Sequence, residues 1–203
     1  MRRADLVRRI EQVPTPAHPN AGLEQVMTPA EAAAELLFSA MSTGDLVGRT
    51  VLDLGAGTGR LTIGAALLGA KRVTGIEVDA ELVAAAVAAA RAAKVKVDFV
   101  RGEVASWSQP GEVVLMNPPF GAQRPHADRP FWDAAYRLAT RSIYAFALAE
   151  SRTFIARRAV DAGAHVLAAR PVAWGLPRTF PHHTRRRVEL AVDLWAIRTE
   201  RAS

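Results

Sequence analysis

Cysteine is absent from the 203 residues. That excludes a disulfide framework, a thiolate metal site and a cysteine nucleophile. Lysine is nearly absent too, three against 23 arginines. No lysine follows the one glycine-rich turn, which argues against a nucleotide-triphosphate loop. Long apolar runs are missing as well. The Ala-rich stretch Leu82–Ala90 comes nearest, and Arg91 and Lys94 close it far short of the roughly 20 residues a membrane span needs. Met1-Arg2-Arg3 leads into no apolar core, so no secretory signal is expected and the chain reads as cytoplasmic.

What is present is a globular balance, 50% hydrophobic and 23% charged, at a length that suits one compact domain. The net charge of +6 sits at the two ends. Residues 1–10 carry +3 from four Arg against Asp5, and residues 171–203 carry another +3 from six Arg against three acids. The 160 residues between them sum to zero. Basic ends on a neutral body fit a polyanion such as nucleic acid gripped at the periphery, or simply an arginine-rich composition.

The pattern along the chain predicts a short amphipathic helix at Asp5–Ile10, a proline linker over Pro14–Pro19, and a second helix opened by Thr28 as N-cap with Pro29 at its first position. From residue 50 strands and helices alternate. Strands are expected at Val51–Leu54, Arg72–Glu77, Val95–Val100, Val113–Met116, Ser142–Leu148, Ala164–Ala169 and Val188–Ile197. Helices are expected from about Arg60 to Leu68, Ala80 to Ala93, Phe131 to Arg141 and Ser151 to Asp161. Such alternation means right-handed βαβ units. The expected fold is therefore α/β and Rossmann-like: a seven-stranded, mostly parallel sheet with helices on both faces. Residues 1–45 form an N-terminal helical extension and cofactor lid, and residues 46–203 the main domain.

Asp53-Leu54-Gly55-Ala56-Gly57-Thr58-Gly59 lies between the first strand and its helix. Glycines there permit a tight turn and close approach of a ligand. The spacing Gly-x-Gly-x-Gly departs from the dinucleotide fingerprint, and Glu77 ends the next strand 22 positions after Gly55, where its carboxylate can accept both hydroxyls of a ribose. The pair fits S-adenosylmethionine (SAM) better than a nicotinamide. Asp53, at the carboxyl end of a central strand, is expected to face the same crevice. Glu103 is a candidate for the adenine amino group, with Val104 against the ring; a solvated loop carboxylate is the plain alternative. Asp79 reads as the cap of the helix that starts at Ala80.

Asn117-Pro118-Pro119-Phe120 follows the fourth strand. The exocyclic amine of adenine is a weak nucleophile because its lone pair is delocalised into the ring. The Asn117 side-chain oxygen and the Pro118 carbonyl can each accept one of its N–H bonds, which draws the nitrogen toward tetrahedral geometry. The prolines stiffen the backbone, and Phe120 is expected to stack on the planar target. No strong base is needed, because the proton leaves an amine already made cationic by transfer. Between Pro171 and Arg187, Trp174, Phe180, His182, His183 and four Arg (Arg178, Arg185, Arg186 and Arg187) mix cations with stacking surfaces suited to RNA, or form a solvated hairpin loop. His18, His126 and His165 show no ligand spacing, adjacent His182 and His183 would diverge on a strand, and no metal site is expected.

Leu23–Thr28, Asp53–Gly59, Gly75–Asp79, Met116–Gly121 and Leu176–Phe180 occur in one order that resembles the methyltransferase-like-five family of archaeal and eukaryotic enzymes. The resemblance spans Leu23 to Ile197. It implies SAM-dependent N6-methylation of an adenosine in small-subunit ribosomal RNA, and a small zinc-finger activator subunit paired along the sheet edge near Val95–Val100. Carried over by position, Gln25 and Thr28 would close over SAM, while Asp53, Gly55 and Gly57 would line its methionine side. Glu77 and Val78 would take the ribose, and Glu103 and Val104 the adenine. Asn117, Pro118, Pro119 and Phe120 would hold the target base, with Asn117 also bordering the cofactor. The same signature also permits a protein glutamine methyltransferase, or a non-catalytic RNA-binding assembly factor of the same fold.

Overall fold

The structure, a computed structural model, describes residues 1–17, 20, 25, 27–121, 124–174 and 190–199. Arg3–Ile10 form α1 and Ala30–Ser42 form α2. Thr50–Leu54 (β1), Arg60–Leu67 (α3), Arg72–Glu77 (β2), Ala80–Ala92 (α4) and Asp98–Arg101 (β3) make two consecutive βαβ units. Gly111–Met116 (β4), Arg129–Leu138 (α5), Ala139–Leu148 (β5), Arg152–Asp161 (α6), Ala164–Val172 (β6) and Val192–Thr199 (β7) complete the described chain.

The sheet runs β3-β2-β1-β4-β5-β7-β6. β1 pairs in parallel with β2 and β4, β2 with β3, and β4 with β5, while β7 lies antiparallel between β5 and β6. Alternate strand residues feed two cores. Val51, Val113, Leu115, Tyr144, Phe146 and Leu194 pack beneath α1, α2 and α3; Leu52, Val114, Met116, Ile143, Trp195 and Ile197 pack beneath α5 and α6. Burial of a sheet on both faces is why its strands read as nearly continuous apolar runs. Strand order reverses between β1 and β4, and ligands of open parallel sheets bind beyond the carboxyl ends at such a switch point.

Three local expectations need correction. Thr28 does not cap α2: Pro29 holds the cap position, and the Thr28 hydroxyl is engaged by Asn117. The strand expected over Val95–Val100 begins at Asp98, the partner of Thr74. Lys94 takes φ +56° as the chain leaves α4, and Val95, Val97 and Phe99 turn inward beside Ile63 and Ala90. The helix expected from Phe131 to Arg141 ends at Leu138, and β5 starts at Ala139, whose partner is Gly111.

Candidate active site

The turn after β1 takes its shape from left-handed glycines at positions 55, 57 and 59, with φ of +73°, +55° and +92°. Gly55 and Ala56 donate their N–H groups to the carbonyl of Ile76, and Gly57 donates to Glu77 Oε2 at 2.8 Å. The end of β2 therefore braces the turn. Space decides the glycines as firmly as φ does. A Cβ on Gly59 would stand 2.7 Å from the Phe99 ring and one on Gly55 2.8 Å from the Phe131 ring, whereas one on Gly57 would meet nothing within 4 Å. The open side of Gly57 faces a cavity.

That cavity has about 500 Å³, within the range of small-molecule sites. Gln25, Thr28, Asp53, Gly55, Gly57, Glu77, Val78, Glu103, Val104 and Asn117 all line it. Glu77 is nearly buried; Oε2 accepts from Gly57 and Oε1 from Asp79 N–H at 3.1 Å. A carboxylate has about four acceptor positions, so two remain for a diol. Val78 is 40% exposed, which leaves an apolar face open in the cavity. Asp53 is buried, and its Oδ2 accepts the Thr62 N–H at 3.0 Å and hydroxyl at 2.6 Å. Burial pushes its carboxyl up to about 7, with the Glu77 charge adding to the rise and the Thr62 bonds opposing it. Asp79 caps α4 through Glu81 N–H and accepts from Gln25 Nε2 at 2.9 Å, and that last bond leads in holding its carboxyl below the usual range.

At the far end, Asn117 Nδ2 donates to Thr28 Oγ1 at 3.0 Å. In this arrangement the Nδ2 arm of the carboxamide is the donor and Oδ1 is its acceptor arm. Asn117 and Pro119 line the cavity, and Pro118 is buried beside them. Phe120 does not line it. Its ring meets Trp174 edge-on at 5.5 Å, and Trp174 meets Phe146 at 5.0 Å. Of the aromatics expected as stacking surfaces, Trp174 is buried in the core beneath α2 with Phe120 packed against it, and Phe180 lies outside the described residues. Arg178, His182, His183, Arg185, Arg186 and Arg187 lie outside the described residues.

Sequence reasoning passed over Arg60, Met27, Leu82, Phe131, Arg124 and His126, all of which line the cavity. His126, which has no ligand spacing in the sequence, reaches it in a left-handed conformation, φ +67°. Among the described residues no group of acidic and histidine side chains could hold a metal ion, and no helix is long and apolar enough to cross a membrane.

The sequence profile of the methyltransferase small domain matches residues 28–141. A curated protein of Methanocaldococcus jannaschii, uncharacterized, is 36% identical over 89% of this chain and 87% of its own. The Drosophila melanogaster rRNA N6-adenosine-methyltransferase Mettl5 is 32% identical over 87% of each chain. The crystal structure of an RNA-methyltransferase candidate from Pyrococcus horikoshii superposes with a TM-score of 0.89 at 37% identity, over 98% of both chains. With a switch-point cavity, a glycine turn braced by Glu77, and Asn-Pro-Pro at its far wall, the chain belongs to the methyltransferase small domain family and, within it, to the methyltransferase-like-five enzymes, Rossmann-like methyltransferases that use SAM.

Proposed function

We propose that the protein methylates the N6 amine of an adenosine in RNA, small-subunit ribosomal RNA being the substrate, with SAM as methyl donor. The observation that carries this reading is that Asn117 and Pro119, with Pro118 buried between them, stand in the wall of the cavity that Glu77 and the glycine turn define. The names of the Mettl5 relatives from fly and zebrafish, rRNA N6-adenosine methyltransferases 32% and 28% identical, supply the substrate class.

The cavity suits SAM. The open side of Gly57 is a cradle that a Cβ would fill, and the two further acceptor positions of Glu77 match a ribose diol. Val78, Leu82 and Val104 offer apolar walls for an adenine ring, and Glu103 borders the same end. Asp53 would face the aminoacyl part, with Gln25 and Thr28 closing the site from the N-terminal extension. SAM supplies, when bound, an electrophilic methyl on a sulfonium. The chain's part is to hold the amine. Asn117 Oδ1 and the Pro118 carbonyl accept its two N–H bonds, and the proline backbone keeps both acceptors converged.

The resemblance also implies a small zinc-finger activator, and a difference between the two sheet edges supports seating it at β3. β6 carries a bulge at Leu167, then Arg170 and Pro171, devices that discourage strand addition. β3 carries neither a bulge nor a proline, and a cleft of about 390 Å³ lined by Arg72, Val97, Val100 and Trp107 runs beside it. The activator would add its strand at β3.

The test is transfer of labelled methyl from SAM, with and without the activator, to small-subunit rRNA and to a glutamine-containing peptide. Transfer to an adenosine N6 in the rRNA alone is expected, lost in Asn117→Ala while SAM affinity stays within a few fold. Transfer to the peptide, or to neither, would overturn the reading.

A further inference from the structure

Arg60 breaks two rules at once. It is the first residue of α3, where the positive end of the helix dipole disfavours a cation. Its guanidinium is also partly buried and, among the described residues, forms no ion pair, Glu11 being the acidic group whose charge favours it. Local rules broken this way mark places where position matters.

What the guanidinium meets instead is backbone. Nε donates to the carbonyl of Ile10 at 3.0 Å, Nη2 to that of Val13 at 3.3 Å, and Nη1 to that of Thr28 at 2.5 Å. Ile10 is the last residue of α1, where terminal carbonyls lack helical partners and the dipole is negative. The cation that α3 disfavours is thus favoured by α1. The contacts on Ile10 and Thr28 fasten both ends of the stretch whose Pro16, Gln25 and Met27 line the cavity. Thr28 leads directly to the chemistry, since its Oγ1 accepts the Asn117 Nδ2 bond. Thr28 thus meets Arg60 through its carbonyl and Asn117 through its hydroxyl.

We propose that Arg60 is a positioning residue of the transferase: by gathering the carbonyls of Ile10, Val13 and Thr28, it places the Thr28 hydroxyl so that Asn117 presents its oxygen to the target amine. The claim about catalysis rests on the methyl-transfer reading above; the claim about Asn117 does not. The rival role is direct, because Arg60 lines the cavity and a guanidinium there could pair with the carboxylate of SAM.

The test compares Arg60→Met, Thr28→Val, which keeps the backbone carbonyl but removes the hydroxyl, and the double variant. Arg60→Lys replaces Arg60→Met should the latter not fold. The first readout needs no substrate. The Asn117 side-chain amide resonances should shift in Arg60→Met as they do in Thr28→Val, and unchanged resonances would overturn the proposal. In methyl transfer at saturating SAM and RNA, each single variant should lower kcat by up to about 100-fold, the scale for a small misplacement at a reacting centre. The double variant should lose no more than the worse single one, because both break one path. Multiplicative losses, or a lowered Tm with unchanged kcat, would overturn the proposal. The last readout separates the rival: Arg60→Met should change affinity for SAM and for decarboxylated SAM by the same factor. A loss confined to SAM would make Arg60 a direct ligand and end the positioning claim. Wild-type protein that leaves rRNA unmethylated would refute the substrate reading, while the amide resonances and the SAM pair still decide on Arg60.

Discussion

Glu77→Gln separates two tasks that one carboxylate performs. In the folded protein each Glu77 oxygen accepts a backbone N–H, from Gly57 at 2.8 Å and from Asp79 at 3.1 Å. A carboxamide has one acceptor oxygen, so one of these donors must face an NH2 group. Hydrogen bonds to a charged group contribute about 1.5–3 kcal/mol, and Glu77 is only 8% exposed, so screening by solvent is slight. The variant without cofactor should therefore lose about 1.5–3 kcal/mol of stability, a fall in Tm of roughly 3–12 °C for a chain of this size. If the two further acceptor positions hold the ribose, one of those bonds weakens as well. SAM affinity should then drop by roughly 10- to 150-fold. Urea unfolding without cofactor gives the first number, and SAM titration calorimetry well below the melting range gives the second. A variant that loses stability yet binds SAM with wild-type affinity would refute ribose ligation and confine Glu77 to bracing the glycine turn.

Two further perturbations concern charge. With its carboxyl raised to about 7, Asp53 holds its proton in the free protein at pH well below 7, and a bound cation favours the ionised form. SAM should thus bind more tightly as pH rises from about 5 to 7, with proton release seen in buffers of different ionisation enthalpy; a flat profile, or the same slope in Asp53→Asn, would refute this. The same shift lowers stability over that window, because the folded chain holds a proton that the unfolded chain has already given up. Asp45 works the other way. It is fully buried, and although burial acts to raise its carboxyl, Arg198 at 3.0 Å, Tyr144 at 2.8 Å and Arg141 at 2.5 Å outweigh that and hold it low. Its stabilisation is full above about pH 4 and lost as pH falls through the lowered value. Asp45→Asn should cost about 2–4 kcal/mol, reduced from the buried-pair range because Arg141 and Arg198 are 36% and 27% exposed. Urea unfolding at neutral pH measures that loss, and SAM affinity should not move, since the network sits at the opposite end of the strands from the cavity.

The strands, the glycine turn and the residues around the cavity were legible because each depends on local chemistry. Apolar runs bounded by turn residues mark a buried parallel strand, and a carboxylate one βα unit beyond a glycine turn comes to the same sheet edge whatever the loops do. Legibility ended where a side chain chose between a near partner and a far one. Thr28 has the spacing of a capping residue, with Glu31 three positions on, but its hydroxyl meets Asn117, 89 residues away. Phe120 has the place of a stacking ring, but in this structure it meets Trp174 edge-on, a contact that no spacing in the sequence announces. β3 lost its first half because Val95 and Val97 turn inward toward Ile63 and Ala90.

Arg60 is the instructive case, since its signal was in the sequence as a contradiction. A cation at the first position of a helix, beside a turn of three left-handed glycines, is unfavourable by itself, so something elsewhere must offset it. The glycine turn says where that something lies. Beside it only groups with no charge of their own to neutralise can draw in a guanidinium without an ion pair, and exposed carbonyls at a helix end are such groups. The N-terminal helix ends within reach, at Ile10. Once Arg60 is seen to hold Ile10 and Thr28 together, the N-terminal stretch stops being an appendage to the sheet and becomes one wall of the cavity, which is why Thr28 is spent on Asn117 rather than on the helix it precedes.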